Sequence, residues 1–202
     1  MILADDGSAD ATPEIARAHG ARVVRSERVI GKGAAASAAA ESALRAVHPG
    51  AIVESGEHPD PIFILCDGDL EESARELPAL AEKVRSGEAD LAVAAFARRL
   101  GGGIGLAVAF ARWAIHRRCG LRTTAPISGQ RALHAGALRA VLPFAQGFGM
   151  ELGMTIDAVR AGYRVAEVEL ELTHRATSRT PVGFAHRARQ LADFVRAYVA
   201  RG

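Results

Sequence analysis

The stretch "IFILCDGDLEES", residues 62–73, decides how the chain folds. Ile62 to Cys66 is a short, unbroken apolar run, the pattern of a strand covered on both faces at the centre of a parallel sheet. It stops at Asp67-Gly68-Asp69. In sheets with helices on both sides, ligands sit beyond the carboxyl ends of the strands, so these two carboxylates stand where binding chemistry is expected. "MILADDGSAD", residues 1–10, has the same form: Met1 to Ala4 reads as the end of a buried strand, tipped by Asp5 and Asp6 and broken by Gly7.

Working outward, helix and strand signals alternate along the whole chain, which predicts an α/β protein with a doubly wound, mostly parallel sheet and helices on both faces. Thr12-Pro13-Glu14 reads as N-cap, first-turn proline and first-turn acid of a short helix closed by Gly20, and "ARVVRS" (21–26) as the next strand. Gly31-Lys32-Gly33 precedes "AAASAAAESALRAV", a strong helix former, which puts Lys32 at or just before a helix N-terminus. Residues 48–61, rich in Pro, Gly and His, form a loop. A helix starts near Pro78 and "DLAVAAFA" is a strand. "GGGIG" (101–105) opens an amphipathic helix ending in a basic turn that suits the helix dipole. "GMELGMTIDAVRAG" is a helix stopped by Gly162, "RVAEVELEL" a strand with one wet face, and 184–200 the last helix. No linker or repeat interrupts the series, so residues 1–202 are expected to form a single domain.

At 202 residues, 49% hydrophobic and 24% charged, the chain is long enough for one full core. No apolar run approaches the ~20 residues that span a bilayer, and the start lacks a signal peptide, which makes the cytoplasm the default compartment. A net charge of +2 argues against nucleic acid, yet from His174 onward six arginines face one acid, Asp193. That imbalance suits a phosphate or an anionic membrane surface. Cys66 and Cys119 have neither disulfide-framework nor zinc spacing. The totals leave a homodimer open.

Two carboxylates in D-x-D spacing after a strand outline a hard-oxygen site for Mg2+ or Mn2+, shared with substrate phosphates. Taken in order, "ADDGSADAT", "GKGAA", "ILCDGDLEES" and "GFGMELGMTIDAVRAGYRVAEVELELTHR" resemble the nucleotide-sugar glycosyltransferases of the GT-A fold, family 2 and its relatives, over essentially all 202 residues. "VLPFAQGFGMELGMTIDA" and the following "THR" look most like the glucosyl-3-phosphoglycerate synthases, with polyprenyl-phosphate sugar transferases as the next neighbours. The resemblance implies transfer of a sugar from a UDP- or GDP-linked donor to a hydroxyl or phosphate acceptor, with Mg2+ or Mn2+ as cofactor. It places Asp5, Asp6 and Ser8 along the base and ribose, Lys32 near the nucleotide, Asp67 on the ribose, and Asp69 with His174 on the metal. Arg175 and Arg179 would offset charge on the leaving diphosphate. Glu151 is the implied acceptor-side catalytic carboxylate, taking the hydroxyl's proton in an inverting enzyme or orienting it in a retaining one.

The resemblance also implies a strand and crossover of roughly thirty residues ahead of the Asp5-Asp6 strand, central in the family's sheet. The expectation is therefore an incomplete chain; a sheet closed around the deletion, or a partner filling the slot, are the other readings. On the acceptor side, "SGQRAL" contributes Gly129, Gln130 and Arg131. The family's Arg and Thr in the loop matching "GGGIG", and its Asn two residues after the metal histidine, are replaced by glycines and Ala176, so phosphoglycerate is not the expected acceptor. The basic helix 105–118 with Trp113 would suit a lipid-phosphate acceptor and peripheral contact with the inner face of a membrane, although core packing also accounts for it. Competing readings are a sugar-nucleotide nucleotidyltransferase, which Glu151 and His174 in their motif context disfavour, a haloacid-type phosphatase, and a truncated or degenerate glycosyltransferase domain without activity.

Overall fold

The run "LAVAAF" forms a strand whose residues Leu91 to Ala95 are all buried, because both of its faces are covered. Leu91 and Val93 pack with Leu133, Leu138, Phe144, Met150 and Met154 on one side. Ala92 and Ala94 pack with Leu80, Val84, Leu170 and Leu172 on the other. The structure, a computed structural model, describes residues 1–47, 61–96, 106–172 and 181–202, with side chains of the last segment from residue 189 onward.

In chain order the elements are β1 (Ile2–Asp5), α1 (Thr12–Ala18), β2 (Arg22–Arg25), α2 (Lys32–Ala46), β3 (Ile62–Leu65), α3 (Pro78–Arg85), β4 (Leu91–Phe96), α4 (Leu106–Cys119), β5 (Arg131–His134), α5 (Ala135–Ala140), α6 (Met150–Arg160), β6 (Val165–Leu170) and α7 (Pro181–Ala200). Short 3-10 turns at Glu71–Glu76 and Gly147–Gly149 lead into α3 and α6. The alternating α/β reading holds. What the sequence pattern did not disclose is β5, four residues that run antiparallel between β3 and β4. The larger sheet is thus ordered β3-β5-β4-β6, with β4 and β6 parallel. Pro13 does lie in the first turn of α1, but the cap is Ala11, and Asp10 rather than Thr12 supplies a side-chain acceptor, taking the N–H of Thr12 at 3.0 Å.

β1 and β2 pair with each other in parallel as a separate two-stranded sheet. The break falls between β1 and β3, whose carboxyl ends nonetheless point at the same turn, residues 30–32. This corrects the expectation that "IFILC" is covered on both faces: among the described residues β3 pairs only with β5, Ile64 is 40% exposed, and Ile62, Phe63 and Leu65 are half-buried. A second correction concerns α4. It is not amphipathic in the ordinary sense, since Ala111, Ala114 and Ile115 enter a core with Leu152, Ile156 and Phe194, while Leu106 and Trp113 stand exposed elsewhere on the helix. No helix among the described residues is long and apolar enough to cross a membrane.

A two-stranded sheet is marginal on its own and leans on what packs against it. Backbone amides of β1 and β2 are therefore expected to exchange with solvent at least tenfold faster than those of β4, read by hydrogen–deuterium exchange; equal protection would show that the two sheets open as one unit.

Candidate active site

The start of α2 is set by backbone geometry. Gly31 adopts φ +94°, which favours glycine, and the carboxylate of Asp6 accepts the N–H groups of Ile30 (2.7 Å) and Gly31 (2.9 Å). Gly33 is needed for a close approach: a Cβ there would lie 1.9 Å from the carbonyl oxygen of Ala145. Lys32, first residue of the helix, is thereby held with its Nζ 2.8 Å from Asp67 Oδ1 and 2.7 Å from Glu151 Oε1. One ammonium joins the turn after β3 to the first turn of α6. Burial pulls the Lys32 pKa down, but Glu151 and Asp67 outweigh it and hold the amine above the ordinary lysine value.

Asp67 is held from its other side as well. Gln130 donates from Nε2 to Asp67 Oδ2 at 3.0 Å, and the chain at Gly129 passes so close that a Cβ would sit 2.5 Å from that oxygen. Gly129 and Gln130, expected on the acceptor side, thus brace the D-x-D turn. Asp69 is exposed two residues on, with no hydrogen-bond or ion-pair partner among the described residues. Two hard carboxylates, one fixed and one open, suit a divalent ion shared with a diphosphate. No three His, Cys, Asp or Glu side chains come together as a metal cage among the described residues. His174, Arg175 and Arg179 lie outside the described residues.

Glu151, only 4% exposed, is mounted by two residues whose role sequence reasoning missed. Arg131, expected on the acceptor side, is fully buried: its guanidinium donates to Ser128 O (2.8 Å) and to Thr155 Oγ1 (2.9 Å), and Thr155 Oγ1 in turn donates to the Glu151 carbonyl (3.0 Å). Burial lowers its pKa to about 10, against the pull of Glu151 and Glu167. It ties the 128–130 loop to the first turn of α6. On the far side, Asp193 of α7 accepts the N–H of Phe148 at 3.2 Å, fixing the turn that leads to Glu151. The signal for Asp193 was its standing as the lone acid among six arginines.

At the amino end, alternation along β1 separates its two acids. Asp5 is 2% exposed, accepts the N–H of Ser8 at 3.0 Å and lies 3.3 Å from Arg25 Nε. Hydrogen bonding from Ser8 holds its carboxyl below the usual range. Ser8 closes that turn, its carbonyl accepting from Arg25 at 2.8 Å. Asp6 is half-buried and serves the 30–31 turn.

The comparisons bear on what such a site is. A family model for glycosyl transferase family 2 matches residues 1–109, more than half of the chain. The chain belongs to glycosyl transferase family 2. Among solved structures, it is similar to glucosyl-3-phosphoglycerate synthase of Mycobacterium tuberculosis in complex with Mn2+, UDP-glucose and glycerol 3-phosphate. The identity is 26%, 99% of this chain and 68% of that chain are covered, and the TM-score is 0.67. The same enzyme with Mn2+, UDP and phosphoglyceric acid gives 27%, 99% and 66%, and 0.71. A mycobacterial protein gives 26%, 99% and 63%, and 0.72. The chain thus spans about two thirds of the length of these structures. No curated protein matches it. This family 2 chain has the GT-A fold of those neighbours, and the mycobacterial synthase structures carry Mn2+ or Mg2+.

A further carboxylate fixes the 123–125 loop. Glu167 of β6 accepts from the hydroxyl of Thr123, from Thr124 Oγ1 (2.6 Å) and from the N–H groups of Thr124 and Ala125 (2.9 Å each). Burial pushes its pKa up, yet these hydrogen bonds prevail and hold it below the ordinary glutamate value. Its contribution to stability is therefore full above the unfolded pKa of ~4.3 and is lost as pH falls through the folded value. The variant E167Q is expected to melt lower than the parent at pH 7, with the gap closing towards pH 3 in thermal melts; a gap independent of pH would mean the charge contributes nothing.

Proposed function

We propose that this family 2 domain transfers a glycosyl group from a nucleoside diphosphate sugar to a hydroxyl acceptor, with a divalent cation. The observation that carries this reading is the Lys32 ammonium shared between Asp67 and Glu151, which puts the D-x-D turn and a buried carboxylate on one small site. Asp69 would hold the cation, with His174 as the further candidate ligand, and Asp67 would meet the donor's ribose. When bound, the cation supplies positive charge to the diphosphate as it leaves.

The chain's own residues do the rest. Lys32 places a fixed positive charge at the donor side, where a diphosphate would exchange for one of its carboxylate partners. Glu151, buried and mounted on the rigid first turn of α6, accepts the hydrogen of the acceptor hydroxyl and aims its oxygen at the anomeric carbon. Gln130 keeps Asp67 from swinging away when Lys32 changes partner. Arg175 and Arg179 are proposed as further diphosphate contacts. UDP-glucose, present in the mycobacterial synthase structures, is the first donor to test, and GDP-mannose the second. The acceptor is proposed to be a small phosphorylated or lipid-phosphate hydroxyl compound.

Thermal melts test this directly. UDP-glucose with Mn2+ at a hundredfold excess over its Kd is expected to add ~2.7 kcal/mol of stability. D69A should abolish the Mn2+-dependent part, and K32A should weaken donor binding at least tenfold with or without the metal. Release of UDP in the presence of a phosphorylated acceptor, lost in E151Q while donor binding persists, would establish the role of Glu151. No shift with either nucleotide sugar would point to the inactive-domain reading.

A further inference from the structure

A helix that is apolar on more than one side is normally covered on more than one side. α4 packs Ala111, Ala114 and Ile115 into the core, and still shows Leu106 (67% exposed) and Trp113 (51%) outward. Trp113 lies against Tyr198 of α7, ring centroids 5.1 Å apart, with Phe110 5.6 Å from Trp113. α7 continues the exposed apolar surface with Val195 (42%) and Val199 (66%).

The charge around this surface has one sign. α4 carries no acid, and α7 carries only Asp193, which is buried and bonded to Phe148 N and Arg196. Arg117, Arg189 and Arg196 are exposed, and Arg118 stacks 3.9 Å over the Tyr198 ring. The nearest acid on α6 with a known partner, Asp157, is bridged to Arg201. A second copy docking through the same surface would set arginines against arginines. A bilayer with anionic headgroups would take the arginines at the phosphates and the Trp113, Val195 and Val199 side chains just below them.

We infer that the exposed surface of α4 and α7 is a peripheral docking face for anionic lipid bilayers. This does not depend on the transferase reading, and the two can fail separately. Trp113 is the only tryptophan of the chain, so its emission reports the face directly.

The experiment adds vesicles of phosphatidylglycerol and phosphatidylcholine, or of phosphatidylcholine alone, to the 202-residue chain and follows Trp113 emission with co-sedimentation. The expected result is a blue shift and pelleting with the anionic vesicles only, reversed at about 0.5 M salt, where the Debye length is a few ångströms. R117E is expected to weaken partitioning on the order of tenfold. V199E should do the same through lost insertion, and because Val199 is exposed its melting temperature should match the parent; if it does not, R117E carries the test. Unchanged emission with anionic vesicles, equal binding to phosphatidylcholine alone, or a doubled solution mass with Trp113 already blue-shifted without lipid would overturn the inference, the last in favour of a dimer.

Discussion

The site depends on one buried-edge ammonium. Lys32 satisfies Asp67 and Glu151 at once, and without it two carboxylates would face each other across a partly dry gap at a cost neither could offset alone. Its position follows from three backbone features in four residues: the left-handed Gly31, the Asp6 carboxylate that takes the preceding N–H groups, and the missing side chain of Gly33 that lets α2 start against Ala145. Three segments distant in sequence are therefore brought together by a short, glycine-flanked helix start.

Around that centre the supports are polar and buried, not apolar. Arg131 spans from the 128–130 loop to Thr155 and so to the carbonyl of Glu151, while Asp193 reaches in from the last helix to the N–H of Phe148. Both residues are charged groups kept inside, where leaving a partner unpaired is costly, and this makes the geometry they impose difficult to relax. The catalytic candidate is held through its backbone, which leaves its side chain available to Lys32 and to an acceptor.

Much of this was legible in the sequence. The strand ends at Asp5-Asp6 and Asp67-Asp69, the helix start at Lys32 and the first-turn position of Glu151 all follow from local signals, and the ordered motif set pointed to family 2. β5 was not legible, because four residues between the Gly129 turn and the start of α5 carry too little pattern to separate from a loop. Arg131 is the first residue of that strand, which is buried throughout, and its ties to Ser128 and Thr155 went unread with it. The different surroundings of Asp5, buried beside Arg25, and Asp6, bonded to the 30–31 turn, were not legible either, since adjacent acids at a strand tip read alike in the sequence. The half-exposed state of β3 goes with its place at the end of the described sheet, which no property of "IFIL" itself encodes.

The division of the strands into two sheets has a consequence for the shape of the crevice. Asp6 follows a strand of one sheet and Asp67 a strand of the other, and among the described residues no ladder of main-chain hydrogen bonds joins the two sheets. The distance between the two acids is governed by Asp6 gripping the 30–31 turn and by the Lys32 ion pair next to it, contacts that mobile ions weaken far more readily than they weaken apolar packing. Ionic strength therefore acts on the width of the opening while leaving the layers around β4 untouched.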